Sequence, residues 1–163
     1  SIFNEEGMKT LIFRLFNVFG PGQNLKNMKQ GMISIYISYL LKGQNITIKG
    51  PLSRVRDFVF VDDVISALYL GMKSDKDGRT YNVCNSRRIT VKEAVNTILS
   101  VYNSESKKEV IIEKRTPRDI DSIWGNNAKI IKEISWKPNF TFEEGLKKTI
   151  EDTKKYLKNN NEL

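Results

Sequence analysis

The sequence predicts an α/β fold in which short strands alternate with amphipathic helices. A run of apolar residues at 10–16 has the length and composition of a buried parallel strand. Two Thr-x-x-Glu capping boxes, starting at Thr90 and Thr141, each open a segment whose apolar residues recur at helical spacing. The 163 residues suffice for one domain with a core, or for part of a larger domain.

The predicted elements of the first half are separated by residues that stop regular structure. Gly43 follows an apolar segment of helical length and is a natural C-terminal residue for it. Glycine and proline predict a turn-rich loop after the first strand. In order, the predicted elements are a strand at 10–16, a loop at 17–24, a helix at 31–42, a strand at 45–48, a polar loop at 51–56 and a strand at 58–61.

The second half continues the alternation of helices and strands. Asp62 and Asp63 precede an apolar segment, and carboxylates in a first turn oppose the helix dipole favourably, so a helix is predicted from this point. The elements that follow, in order, are a strand at 79–83, a helix from Thr90, a strand at 109–113, a charged loop at 114–121, a helix at 127–134, a helix from Thr141 and a polar tail at 158–163.

The absence of histidine and the single cysteine, Cys84, exclude several kinds of chemistry. A chain without histidine forms no Ser-His-Asp triad and no imidazole-bound metal site. One cysteine forms no internal disulfide and no zinc ribbon, and it indicates a reducing, cytoplasmic compartment. No apolar run reaches the ~18 residues of a membrane-spanning helix, and the opening residues do not resemble a secretion signal.

The net charge of +8 raises the question of a nucleic-acid partner. Most of the 27 cationic residues are lysines scattered along the chain, which is typical of a solvated surface. The aromatic residues follow the apolar periodicity and do not alternate with arginine. We therefore predict that the chain has no nucleic-acid partner.

Two short motifs suggest a cofactor or a catalytic role, and both matches are weak. Gly20 and Gly22 begin like a dinucleotide fingerprint, but the third glycine is missing, and a surface loop is the alternative. Tyr69 and Lys73 have the YxxxK spacing that places a tyrosine base and a lysine on one helix face. Because Tyr69 belongs to an apolar stripe, we predict that it packs in the core.

Two arginine-bearing loops follow predicted strands and are candidates for binding an anion. One contains Arg54 and Arg56, and the other contains Arg115 and Arg118. Arginine makes bidentate bonds to phosphate oxygens, which suits a diphosphate, and the two loops could converge on one polyanion. The alternative is a structural neighbourhood on the surface, such as Arg56 beside Asp57.

Several stretches together resemble one known family, in family order and at family spacing across nearly the whole chain. The matching stretches are 14–23, 50–63, 81–83, 119–124, 136–138 and 144–146. On these residues the chain is identified as a member of the extended short-chain dehydrogenases/reductases, in the NAD-dependent epimerase/dehydratase family. Within it, the chain resembles the UDP-glucose 4-epimerase-like group. The resemblance implies the C-terminal part of an NAD(P)-binding Rossmann-like fold, with a small substrate-binding α/β subdomain.

The resemblance implies a set of contacts to a sugar nucleotide. Asn17 and Arg56 are similar to family residues that contact the diphosphate. Gly31 and Met32 are similar to the pair that contacts the nucleotide. Lys49 stands where many members place an aromatic residue against the base, so the identity of the base is left open.

The remaining implied contacts concern the second arginine and the cofactor. The second family arginine corresponds in position to Thr116 here, and we expect Arg115 or Arg118 to replace it. Leu15 and Phe16 are similar to residues whose backbone approaches the nicotinamide of NAD.

The resemblance also implies which functions belong to this chain and which belong to the rest of the parent protein. We expect residues 1–163 to be the substrate-binding portion, with the cofactor-binding half and the catalytic Tyr and Lys of YxxxK upstream. The expected ligand is a nucleoside-diphosphate sugar, above all a UDP-sugar, and the intact parent would catalyse UDP-glucose/galactose-type 4-epimerisation with NAD. The alternatives are a dehydratase or reductase of the same family, or a non-catalytic binding module. We expect no metal, no turnover by this chain alone, and self-association or a homodimer through the unpaired apolar edge of the strand at 10–16.

Overall fold

The computed structural model describes residues 7–29, 31–103 and 108–160. Its strands are β1 (Leu11–Leu15), β2 (Asn17–Phe19), β3 (Ile46–Lys49), β4 (Val55–Arg56), β5 (Phe58–Phe60), β6 (Arg79–Val83), β7 (Ile89–Thr90) and β8 (Val110–Glu113). Its helices are α1 (Met32–Leu41), α2 (Val61–Lys73), α3 (Val91–Tyr102), α4 (Ala128–Ile134) and α5 (Phe142–Asn159). This alternation confirms the predicted α/β fold. The tail predicted at 158–163 begins as the last turn of α5, and residues 161–163 lie outside the described residues.

The strands pair two by two, and three of the four pairs are parallel. Strand β1 pairs with β6, β2 with β5, and β3 with β8, whereas β4 and β7 are antiparallel. Parallel pairs require crossover connections, and α2, which precedes β6, is part of the connection from β1 to β6. Gly71 lets α2 approach β1 closely, because a Cβ at this position would lie 2.4 Å from Cζ of Phe13.

Two strands lie where loops were predicted. Strand β2 occupies the start of the segment 17–24, and β4 occupies the end of the segment 51–56, so both loop predictions were wrong at these positions. Neither strand has a strong local pattern, since each is two or three residues long. Each forms because a distant strand supplies hydrogen bonds, β5 for β2 and β7 for β4.

The larger of two buried clusters is built around aromatic rings. Phe19, Phe58 and Phe142 pack with ring centroids 5.0–6.3 Å apart, and Phe60 lies 5.6 Å from Phe19. Gly145 in α5 makes room for them, because a Cβ there would lie 2.8 Å from Cζ of Phe19. Burying rings of this size supplies much of the hydrophobic stabilisation of the domain.

The second cluster joins α2 to the segment that follows α4. Trp136 is fully buried, and its indole Nε1 donates to the carbonyl oxygen of Asp63 at 3.0 Å and to Oγ of Ser66 at 2.9 Å. The buried Asp63 carboxylate accepts from the backbone N–H of Asn139 at 2.7 Å and of Phe140 at 3.3 Å. Burial raises the pKa of Asp63, and these two hydrogen bonds oppose the rise. Asp63 therefore lies in the first turn of α2, which begins two residues earlier at Val61, and it also anchors a loop.

Both predicted capping boxes are confirmed. The Thr90 hydroxyl accepts from the N–H of Glu93 at 3.1 Å, and the Glu93 carboxylate accepts from the N–H of Thr90 at 2.7 Å. Thr141 and Glu144 repeat the arrangement at the start of α5. These boxes satisfy backbone donors that the first turn of a helix leaves without intrahelical partners.

The prediction that Tyr69 packs in the core was wrong. Its side chain is 53% exposed, and Nζ of Lys73 lies 4.5 Å from its ring centroid. Helix α2 has two apolar stripes, and the one that contains Val64 and Ala67 faces inward. The other stripe is exposed and consists of Ile65, Leu68, Tyr69 and Met72. Among the described residues, no helix combines the length and the hydropathy needed to cross a bilayer.

A cationic cleft as the candidate functional site

A cleft of about 610 Å³ lies between α1 and the loop that follows β8. Four cationic side chains line it, and a single carboxylate, that of Asp119, accompanies them among the described lining residues. The cations are Lys29, Lys49, Arg54 and Arg118. The excess of positive charge in a concave site favours an anionic ligand.

Two buried arginines form the floor of this region, and Asp119 joins them. Arg54 and Arg56 are each only 5% exposed. Nη2 of Arg56 donates to Oδ1 of Asp119 at 2.8 Å, and Nη1 of Arg54 forms an ion pair with Oδ2 of the same carboxylate. Burial lowers the pKa of the Arg56 guanidinium, and the charge of Asp119 opposes that shift. One carboxylate thus holds two guanidinium groups side by side.

The backbone around β4 explains why both arginines face the same way. Residues 54 and 56 flank Val55, and alternate side chains of an extended segment lie on one face. The N–H of Val55 donates to the carbonyl of Asp121 at 2.8 Å, and the carbonyl of Val55 accepts from Ile123 at 3.0 Å. The carbonyl of Arg54 accepts from the N–H of Val91 at 2.8 Å. The arginine segment is therefore held between two other segments of the chain.

A tight turn presents Asp119 to the arginines. The N–H of Asp119 donates to the carbonyl of Thr116 at 3.2 Å, with Pro117 and Arg118 at the two central positions. Arg118 has φ 63°, a left-handed conformation that costs a non-glycine residue roughly 1–2 kcal/mol. The surrounding contacts hold Arg118 in this strained conformation, and Arg118 lines the cleft.

Arg115 fastens the same turn from the other side. Its Nη1 lies 2.9 Å from Oδ1 of Asp121, and its Nη2 bonds to the carbonyl oxygen of Asp119. Gly50, at φ 92°, lies against two of the arginine side chains. A Cβ at this position would lie 3.2 Å from Cγ of Arg115 and 3.4 Å from Cζ of Arg54. The glycine is required both by its backbone conformation and by the close approach of two arginines.

The structure brings together most of the residues predicted to bind substrate. Those that line the cleft are Gly31, Met32, Lys49 and Arg118. Arg56 adjoins it through Asp119, and Arg115 lines a neighbouring groove that also contains Lys49. Two loops that are distant in sequence therefore converge, as the arginine pattern predicted. Their roles in binding stay predictions.

Asn17 and the predicted nicotinamide contacts lie elsewhere, where β1 passes into β2. The side-chain amide of Asn17 donates to the carbonyl of Asp57 at 3.0 Å, and its own N–H donates to the same oxygen at 3.1 Å. Asn17 thus supports the residue after Arg56 and is not among the residues that line the cleft. Leu15 is half exposed, and the N–H of Phe16 donates to Val83 at 3.2 Å.

The alternative interpretation of Arg56 and Asp57 as a surface neighbourhood was wrong. Both are buried, and the Asp57 carboxylate accepts from the N–H groups of Asn85 at 2.8 Å and Gly125 at 3.2 Å. Burial raises the pKa of Asp57, and the backbone hydrogen bonds oppose the rise. Asp57 therefore organises backbone, whereas the counter-ion of Arg56 is Asp119.

The sequence did not identify two residues of this site as important. Asp119 belongs to one of the matching stretches, but its ion-pair partners Arg56 and Arg54 lie 63 and 65 positions earlier in the chain, so no local pattern marks these pairs. Tyr36 lies in the apolar segment predicted as a helix at 31–42, and it lines the cleft beside Arg54. Within the described ranges, no three side chains of the metal-ligating types come together.

Comparisons with known proteins show which family has this fold. The family model described as GDP-mannose 4,6 dehydratase matches residues 1–149, and the chain belongs to this family of NAD-dependent epimerases and dehydratases. The family resemblance seen in the sequence is thereby confirmed.

Two kinds of relative are close to this chain. The dTDP-glucose 4,6-dehydratase of Escherichia coli is 30% identical over 161 residues, which cover 95% of this chain and 43% of that protein. The UDP-glucose 4-epimerase of Thermotoga maritima, solved with UDP-glucose, has a TM-score of 0.87 at 28% identity, and the match covers 95% of this chain and 49% of the epimerase chain. The UDP-glucose 4-epimerase of Thermus thermophilus, solved with NAD, has a TM-score of 0.79 at 25% identity, with 94% and 49% covered. The chain spans less than half the length of each of these relatives.

Proposed function

We propose that this chain is the sugar-nucleotide-binding portion of an NAD-dependent epimerase that acts on UDP-sugars. The observation that supports the proposal is the buried arginine pair, Arg54 and Arg56, held by Asp119 at the edge of a cationic cleft. A diphosphate offers several acceptor oxygens, and each charge-assisted hydrogen bond to it is worth about 1.5–3 kcal/mol. An epimerase solved with UDP-glucose and another solved with NAD share the fold of this chain.

The residues of this chain bind and orient the substrate in this proposal. The guanidinium groups are fixed before the ligand arrives, so binding loses little side-chain entropy. Gly31 and Met32 approach the nucleotide, Lys49 lies near the base, and Arg118 adds a third cationic group on the diphosphate, beside Arg54 and Arg56. Asn17, the first residue of β2, lies outside the cleft and supports Asp57, the residue after Arg56.

NAD belongs to the parent protein in this proposal, and its nicotinamide lies against Leu15 and Phe16. These residues fit such a contact because Leu15 is half exposed at the carboxyl end of β1, and ligands of open α/β sheets bind at that edge. NAD supplies hydride transfer when bound, whereas proton transfer belongs to the YxxxK pair expected upstream. We therefore expect no turnover by the 163-residue chain.

Titration calorimetry with UDP-glucose tests the proposal directly. We expect the 163-residue chain to bind UDP-glucose and UDP, and not free glucose. Lys49→Gln, which changes a cation that lines the cleft, is expected to weaken UDP binding several-fold. Lys42→Gln alters a cation next to the last residue of α1 that does not line the cleft, and is the matched control. No measurable heat with millimolar UDP, or equal affinity of the two variants, would contradict the proposal.

A dehydratase is the second candidate, favoured by the matching family model and by the Escherichia coli relative. Titration with dTDP and GDP beside UDP identifies the preferred base. Tight binding of GDP or dTDP with weak binding of UDP would favour the dehydratase. Epimerisation of UDP-glucose by the 163-residue chain with NAD would overturn the expectation that the chain alone is inactive.

Self-association is also part of the proposal. Ile12 and Leu15 on β1 and the exposed stripe of α2 leave apolar side chains in water, and among the described residues β1 pairs on one edge alone. Size-exclusion chromatography with light scattering is expected to give a mass above 18.8 kDa that falls on dilution. A clean monomer at high concentration would contradict this part.

A further inference from the structure

Tyr36, in α1, is a nearly buried side chain whose hydroxyl is not hydrogen-bonded within the described part of the chain. It is 4% exposed, yet its hydroxyl makes no hydrogen bond with any residue that the structure describes. No described side-chain nitrogen or oxygen is both fully buried and unpaired. The hydroxyl oxygen therefore retains contact with solvent, although the ring is enclosed.

The cleft is the place where this hydroxyl meets solvent. Tyr36 lines it together with Arg54 and Asp119. Its neighbours Ile33, Ile37 and Leu40 on α1 are buried in the core, which fixes the orientation of the helix. The positive charges of Arg54 and Arg56 act on the phenol more strongly than the opposing charge of Asp119, so the hydroxyl lies within the field of the arginines.

A ligand in the cleft removes the water on which the hydroxyl now depends. A donor that loses water without gaining an acceptor costs about 1–3 kcal/mol. The acceptor must then come from the ligand. Beside two guanidinium groups, the ligand atoms brought closest are anionic oxygens.

We propose that Tyr36 is a further ligand-binding residue of the cleft, whose hydroxyl donates a hydrogen bond to a phosphate oxygen held by Arg54 and Arg56. The inference rests on the proposed function, since it takes a nucleoside diphosphate as the ligand. Tyr36 then acts with the arginines as a neutral donor, which adds affinity for the diphosphate without adding charge.

The protonation state of Tyr36 suits this role. Burial raises its pKa to about 12, and the nearby arginines only partly oppose the rise. The phenol therefore keeps its proton throughout the neutral range. A phenolate in the same place would repel the phosphate.

The variant Tyr36→Phe removes the hydroxyl and keeps the ring. Because the hydroxyl has no protein partner, we expect the thermal midpoint of the variant to stay the same or to rise. Loss of one hydrogen bond to a charged acceptor should weaken UDP binding about tenfold in calorimetry. Tyr69→Phe is the matched control, because Tyr69 is exposed on α2 and does not line the cleft, and its affinity for UDP should not change.

The binding data separate failure of this inference from failure of the proposed function. If the unsubstituted chain does not bind UDP, the proposed function is wrong, and the inference falls with it. If the unsubstituted chain binds UDP and Tyr36→Phe binds it equally well, the Tyr36 inference alone is overturned. Pyrophosphate is the second probe: the loss should persist with it, and a loss seen with UDP alone would place the hydroxyl on another part of the nucleotide and refute the phosphate contact.

Discussion

Replacing Asp119 by asparagine tests whether this carboxylate holds the two buried arginines. Asp119 is the counter-ion of both Arg54 and Arg56, which are each 5% exposed. Asp119→Asn keeps the size of the side chain and one acceptor oxygen but removes the negative charge. Two guanidinium groups then remain buried with no carboxylate between them.

The magnitude follows from burial. Breaking a buried ion pair by removing one partner costs about 3–5 kcal/mol, because the remaining charge is uncompensated. The asparagine oxygen retains one hydrogen bond, so we expect a loss of about 3 kcal/mol in the free energy of unfolding. A typical domain is stable by only about 5–15 kcal/mol, so this loss is large. Asp121→Asn is the matched control: Asp121 is 76% exposed, and its pair with Arg115 should contribute about 0–1 kcal/mol.

Urea unfolding followed by tryptophan fluorescence measures both variants. Trp136 is fully buried and reports loss of the core. We expect the midpoint of Asp119→Asn to fall with little change in the slope, and UDP to recover part of the loss, because phosphate oxygens supply the missing negative charge. If Asp119→Asn is destabilised by no more than Asp121→Asn, the carboxylate does not hold the arginines and the reasoning fails.

Three further predictions concern the strained turn, a close contact and a helix cap. Arg118→Ile should lower the free energy of unfolding by about 1–2 kcal/mol, because φ 63° disfavours β-branched residues. Arg118→Gly should not lower it. Equal urea midpoints for the two variants would show that the backbone at residue 118 is not strained. Gly125→Ala should lower the free energy of unfolding by about 1–3 kcal/mol in the same assay, because the added Cβ would lie 2.6 Å from Sγ of Cys84. An unchanged free energy of unfolding would contradict this close contact. Hydrogen bonds from Thr90 lower the pKa of Glu93 below its usual 4.5, so the stabilisation is present above pH 4.5 and is lost as pH falls through the folded pKa. Urea midpoints measured between pH 6 and pH 3 should therefore fall more steeply for the unsubstituted chain than for Glu93→Gln. Parallel curves for the two proteins would contradict the lowered pKa of Glu93.

Elements that depend on local sequence were predictable. The capping boxes at Thr90 and Thr141 involve residues three positions apart, and the strand at 79–83 was confirmed residue for residue. Strands β2 and β4 were not predictable, because their hydrogen bonds come from segments far along the chain. Tyr69 shows a second limit, since two apolar stripes run along α2 and periodicity does not tell which faces inward.

The sequence by itself determined the family, the α/β class and the arginines that could meet an anion. Those properties follow from residue types at short spacings, which local propensity and motif order express directly. Only the tertiary structure decided that Asp119 is the partner of Arg54 and Arg56, that Asn17 binds the carbonyl of Asp57, and that Tyr36 lines the cleft. The physical reason is that ion pairs and burial depend on which distant segments meet, and these contacts form only when the whole chain packs.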